Sequence, residues 1–96
     1  MNTQLDIENK LRELKPLLQG KFAVERIGYF GSYSRNEQTK NSDIDILVYF
    51  RKPIGWDFFD LQDLPEKELK LKVDLVSAKA LKQQLKESIL KSVKYV

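Results

Sequence analysis

Two aspartates, Asp43 and Asp45, flank one isoleucine in the stretch FGSYSRNEQTKNSDIDILVYF, residues 30–50. Side chains of a strand point alternately to its two faces. Asp43 and Asp45 therefore share one face, while Ile44, Ile46, Val48 and Phe50 share the other and can be buried. Two carboxylates so close repel each other and raise each other's pKa. A cation between them removes that cost. A ligand set made only of oxygen suits magnesium, which binds carboxylates together with substrate phosphates. Taken by itself, a DxD reads first as an ordinary polar strand start.

The neighbourhood favours the chemical reading. Gly31 and Ser32 follow one strand-like run and precede a polar segment that could open with a helical turn. Glycine lets backbone approach a ligand closely. Free N–H groups at such a turn bind phosphate, and a serine hydroxyl adds a contact. Asp74 then stands between Val73 and Leu75 in LKVDLV. A charge inside a short apolar strand is costly unless something pairs with it. If that strand lies beside residues 43–50, three carboxylates converge, the layout of two-metal phosphoryl-type transfer.

The elements that must position these groups are legible in the periodicity. Ile7, Leu11, Leu14 and Leu18 form one face of a helix over residues 4–19, with a kink or restart expected at Pro16 and an end at Gly20. Residues 23–30 and 43–50 read as strands. The unbroken apolar run Ile46 to Phe50 predicts a central strand covered on both faces. Residues 56–70 read as helical, with Pro65 beginning a second segment and Asp63 near its cap. Residues 71–76 form a third strand. Ser77 is a suitable N-cap for a last helix carrying Leu81, Leu85, Ile89 and Val93. The predicted order is α-β-(short α)-β-α-β-α, an α/β or α+β two-layer domain.

Composition narrows the chemistry. The chain has 96 residues, 42% apolar and 32% charged, which suits a single domain spanning 1–96. It has neither cysteine nor histidine. Disulfides, thiolate chemistry, histidine triads and the usual zinc sites are thereby excluded. Catalysis must rest on carboxylates, hydroxyls, lysine, arginine or a bound ion. Nothing approaches the ~18 consecutive apolar residues of a membrane span, and the polar start MNTQLDIENKLREL is unlike a signal peptide. A cytoplasmic location is expected, with no membrane partner. The net charge of +3 collects in lysines of the last third. At helical spacing they read as a solvated face, and nucleic acid is not an expected partner.

The pattern GS, ten residues, then DID, with VDLV beyond it, resembles the signature of the minimal nucleotidyltransferases of the DNA polymerase beta-like nucleotidyltransferase superfamily. The ending LKESILKSVKYV is similar to that family's C-terminal helix. The resemblance covers residues ~22–96. It implies a small mixed three-stranded sheet with flanking helices that binds a nucleoside triphosphate, ATP in the reading adopted, with two magnesium ions. Gly31 and Ser32 would hold the triphosphate. Asp43 and Asp45 would ligate the ions, and Asp74 would join the catalytic ion and help activate the acceptor hydroxyl. Arg35, in GSYSR, matches a basic loop position and would support the phosphates or the loop. The family often has glycine next; here it is Asn36, a residue that tolerates left-handed backbone.

Minimal members of that family often act as antitoxins that transfer AMP from ATP onto a tyrosine of a co-encoded HEPN-domain toxin. The resemblance implies that activity here, in a type VII-like toxin–antitoxin pair. Three other readings stand beside it: a non-catalytic subunit that neutralises its partner by contact, nucleotidyl transfer to a small molecule, and nucleotide addition to nucleic-acid ends. The aromatic run GWDFF bears on the first of these. Trp56, Phe58 and Phe59 cannot share one helix face, so at least one is expected to be exposed for docking. Whether two copies self-associate stays open.

Overall fold

The computed structural model describes residues 3–96. Its elements run α1 (Gln4–Lys21), β1 (Val24–Phe30), β2 (Ile44–Phe50), α2 (Asp57–Leu69), β3 (Val73–Ser77), a 3-10 turn (Ala78–Ala80), α3 (Gln83–Ser92) and β4 (Lys94–Tyr95). The four strands form one mixed sheet in the order β3-β2-β1-β4. β1 is antiparallel to β2 and to β4, while β2 and β3 run parallel. Helices α1 and α2 cover one face. Ile7, Leu11, Leu14 and Leu18 of α1 pack there with Ile27, Tyr29, Ile44, Ile46, Val48, Leu61, Leu69, Val73 and Leu75. β2 is central, as its apolar run predicts, and Leu47 on its other face is also fully buried. Among the described residues no helix is long and apolar enough to cross a membrane.

Both internal prolines lie within continuous helices rather than at breaks. Proline removes one backbone hydrogen bond from a helix, and in each case the buried stripe runs on past it. Gly20 does not end α1 either. The helix reaches Lys21, Phe22 caps it through an N–H to the Leu18 carbonyl, and the left-handed residue is Ala23, at φ 56°. No short helix follows β1; residues 31–36 form consecutive turns. Ser77 precedes only the 3-10 turn and makes no side-chain cap bond, and the last helix is confined to Gln83–Ser92. No described residue of α3 is buried.

The C-terminal segment, expected as helix, ends as β4, so the predicted three-stranded sheet has a fourth strand. Gly28 makes this possible. It pairs with Tyr95, and a Cβ at position 28 would stand 2.8 Å from the Lys94 carbonyl oxygen. Val96 N–H donates to the Ile27 carbonyl at 3.0 Å, and Lys15 Nζ donates to the Val96 carbonyl at 2.8 Å. Of the three aromatics at the start of α2, Phe58 turns inward onto Phe50, whereas Trp56 and Phe59 are 85% and 59% exposed and stack at 5.9 Å.

Candidate active site

The site lies at the sheet end where β1 finishes and β2 and β3 begin. Asp45 is the Cα partner of Phe30 on one side and of Asp74 on the other. Parallel pairing of β2 with β3 thus sets two carboxylates side by side on the face opposite the helical core. Asp43 sits just ahead of β2, after a turn closed by the Thr39 N–H donating to Ser42 Oγ at 2.9 Å and the Ser42 N–H donating to the Thr39 carbonyl at 3.0 Å. Asp43 and Asp74 are exposed and Asp45 is half-buried. Asp74 therefore occupies the open face of an edge strand and not an apolar interior, which removes the desolvation cost inferred from its apolar neighbours.

Helix α2 fixes the start of β3. Gln62 Nε2 donates to the Val73 carbonyl at 3.1 Å, and the Val73 N–H donates to Glu66 Oε2 at 2.9 Å. Both contacts hold the residue next to Asp74. They lie 7 and 11 residues away in sequence, with no pattern to announce them.

Gly31 is the hinge of the arrangement. Its φ is +75°, a backbone state that suits glycine. A Cβ there would lie 2.2 Å from Asp45 Oδ2, so only glycine lets the turn backbone approach that carboxylate. The turn then winds back on the Gly31 carbonyl, which accepts from the Ser34 N–H at 3.1 Å, the Arg35 N–H at 3.3 Å and Ser34 Oγ at 2.8 Å. Ser32 Oγ has no hydrogen-bond partner among the described residues and is half-buried beside Gly31. Asn36 ends the turn at φ 57°, the left-handed state expected of it. Arg35 is exposed and pairs with Glu37 at 2.9 Å, so its guanidinium is engaged within the loop. The Gln4 side chain, 29 residues distant, donates to the carbonyls of Tyr33 at 2.8 Å and Ser34 at 3.1 Å. Nothing in the sequence signals that contact.

A close backbone turn against paired carboxylates is what a phosphate-handling site needs. A family model described as the nucleotidyltransferase domain matches residues 7–96. This chain belongs to that family. The nucleotidyltransferase is 41% identical over 97 residues to the protein adenylyltransferase MntA of Thermococcus cleftensis, covering all of this chain and 98% of that one. It is similar to a crystal structure of a toxin–antitoxin with AMP-PNP, with a TM-score of 0.77 and 30% identity over 92% of this chain and 70% of that one. It is also similar to a chain from the complex of tri-AMPylated Shewanella oneidensis HEPN toxin with MNT antitoxin, with a TM-score of 0.70, 26% identity and coverage of 97% and 71%.

The carboxylates of this nucleotidyltransferase fit a hard cation. Among the described residues no three acidic side chains already form a finished ligand cage. What is built is the Asp45–Asp74 pair with Asp43 at its edge, all oxygen donors of one sign. The electrostatics agree with the geometry. Burial first, then the charges of Asp74 and Asp43, push the Asp45 carboxyl up to about 6, while Arg35 partly opposes them. The ordinary value is 3.8.

The sign of the resulting pH dependence follows from proton counting. Between the two values the folded chain holds the Asp45 proton that the unfolded chain has released. Stability is then greatest below about 3.8 and is lost as pH rises through about 6. In metal-free buffer, the melting temperature of the parent relative to Asp45→Asn is expected to fall across that window. Parallel melting curves for the two proteins from pH 4 to pH 7 would contradict the assignment.

Proposed function

We propose that this nucleotidyltransferase transfers AMP from ATP, with magnesium, onto a tyrosine hydroxyl of a HEPN-domain partner, and so acts as the antitoxin of a toxin–antitoxin pair. The observation that carries the reading is the close approach of Gly31 to Asp45 with Asp74 alongside: it joins a phosphate turn to a cation-type carboxylate set. Similarity to the protein adenylyltransferase of Thermococcus cleftensis and to the MNT antitoxin in complex with an AMPylated HEPN toxin supports the adenylyl donor and the kind of partner.

In this reading the N–H groups and hydroxyl of the Gly31–Ser32 turn hold the outer phosphates. Asp43, Asp45 and Asp74 would hold magnesium, which supplies charge neutralisation at the phosphates and acidifies an acceptor hydroxyl. Asp74, on the exposed edge strand, accepts the proton of the tyrosine hydroxyl. The tyrosine oxygen bonds to the α-phosphorus, the bond from that phosphorus to the bridging oxygen breaks, and pyrophosphate leaves. Arg35 steadies the turn through Glu37.

The test is direct. The chain is incubated with labelled ATP, magnesium and the HEPN-domain protein encoded beside it. Label and the mass of an adenylyl group are expected on a partner tyrosine, with loss of the partner's toxicity. A stable complex that stays unlabelled and non-toxic would instead mean neutralisation by contact. Label found only on a small molecule would mean a different acceptor.

The Trp56–Phe59 stack is the surface we assign to partner docking. A double Trp56→Ser, Phe59→Ser variant should weaken the complex at least tenfold, since exposed aromatics at interfaces often contribute 2 kcal/mol or more, on the order of a binding hot spot. Its melting temperature should stay near the parent's, as expected for surface changes. Titration of parent and variant against the partner, beside thermal melts, decides the matter. A variant that loses its fold and binds normally when folded would remove the stack from the interface.

A further inference from the structure

We infer that Gln4, in the first turn of α1, is a positioning residue that sets the direction of the Ser32 N–H at the phosphate turn. The inference rests on the reading of Gly31–Asn36 as the triphosphate-binding turn and extends it to a residue outside that turn.

The path runs through three peptide planes. Gln4 Nε2 donates at once to the Tyr33 carbonyl at 2.8 Å and the Ser34 carbonyl at 3.1 Å. A trans peptide is planar, and its C=O and N–H point in opposite directions. Pulling those two carbonyls toward α1 therefore turns the Ser34 and Arg35 N–H groups the other way. Both of them donate to the Gly31 carbonyl, at 3.1 Å and 3.3 Å. The Gly31 carbonyl shares its peptide plane with the Ser32 N–H. Once that carbonyl is captured inside the turn, the Ser32 N–H must face outward. Gln4 thus fixes a donor on the opposite side of the turn from itself.

The lever is well anchored. Thr3 and Asp6 form a capping box in which the Asp6 N–H donates to Thr3 Oγ1 at 3.1 Å and the Thr3 N–H donates to Asp6 Oδ2 at 3.0 Å. That box holds the helix start on either side of Gln4. Buried Ile7 in α1 and buried Tyr33 in the turn join the same core cluster. The glutamine is half-buried, and its amide bridges the two carbonyls, the first of which also accepts from the Asn36 N–H at 3.3 Å.

The experiment compares three variants of the whole chain by calorimetry with ATP and with AMP, each with magnesium, together with the kinetics of transfer. Gln4→Met keeps the length and removes the donor. Gln4→Lys keeps the length and restores a donor. Ser32→Ala tests the turn itself. Gln4→Met is expected to weaken ATP about tenfold, the scale of a lost hydrogen bond to a charged ligand. AMP, which lacks the outer phosphates, should change by less than about twofold. KM for ATP should rise while kcat at saturation changes little, because the loss is one of binding. Gln4→Lys should recover most of the affinity. ATP affinity unchanged in Gln4→Met, an equal loss for AMP, or no recovery in Gln4→Lys would overturn the inference. So would a fall in melting temperature alone. If Ser32→Ala weakens ATP and Gln4→Met does not, only the role of Gln4 fails. If neither weakens ATP, the turn reading fails with it.

Discussion

Replacing Asp74 by asparagine is expected to lower the transfer rate by roughly 10²–10⁴-fold, the range for loss of a positioned general base, while ATP still binds. The substitution keeps the side-chain shape, and the backbone beside it is held from α2 by Gln62 and Glu66 at Val73. The strand should therefore persist. The change also removes one of the charges that raise the Asp45 carboxyl, so Asp45 should titrate closer to the ordinary carboxylate range. ATP affinity and transfer rate measured on one folded sample separate the roles. Loss of both together would place Asp74 with the nucleotide. A parent-like rate would take it out of the chemistry altogether.

The second large effect is expected at Gly31. Alanine there meets two obstacles of different kinds. Left-handed backbone costs an L-residue about 1–2 kcal/mol. The new methyl would also occupy the space of Asp45 Oδ2, 2.2 Å away. Gly55 separates the two. It has a similar φ of +58° and no heavy atom within 4 Å of an added Cβ. Gly55→Ala should lose about 1–2 kcal/mol of stability and transfer at the parent rate. Gly31→Ala should lose the same stability or more, and its rate should fall about 100-fold, as for an ångström-scale misplacement of a reacting group. Denaturant melts and transfer assays on both variants check this. Equal rates for the two would mean that the Gly31–Asp45 approach has no catalytic role.

The comparison of sequence with structure divides along physical lines. The β2 run was readable because alternation and an unbroken apolar stretch both demand a central strand, and that alone places Asp45 on the face opposite Ile44 and Ile46. The pairing of Asp45 with Asp74 followed only if β2 and β3 are neighbours, a matter of tertiary packing that the parallel register confirms. Asn36 was readable from its tolerance of left-handed backbone. The prolines misled because local propensity counts one missing hydrogen bond, whereas the buried stripes of α1 and α2 outweigh it. β4 has two residues, too few to show a period, and its cause is the missing side chain of Gly28 on a distant strand. The contacts of Gln4, Gln62 and Glu66 are made between elements, where sequence spacing carries no signal.

The exposure of α3 sets a limit on how firmly that segment is ordered. Its ten residues bury no side chain, and its N-cap, Lys82, makes no side-chain cap bond. Holding each residue in one backbone state costs about 1–2 kcal/mol, and helices shorter than ~12–15 residues are marginal in water without packing. Helix α3 thus belongs to the low end of the local stability scale, and its amide protons should exchange far faster than those of β1 and β2. Its two ends are nevertheless moored, by β3 on one side and by β4 and the Lys15–Val96 contact on the other. The helix can therefore open and close as a tethered loop without loosening the sheet, so that Lys86 and Lys91 sit on the part of the chain that opens most cheaply.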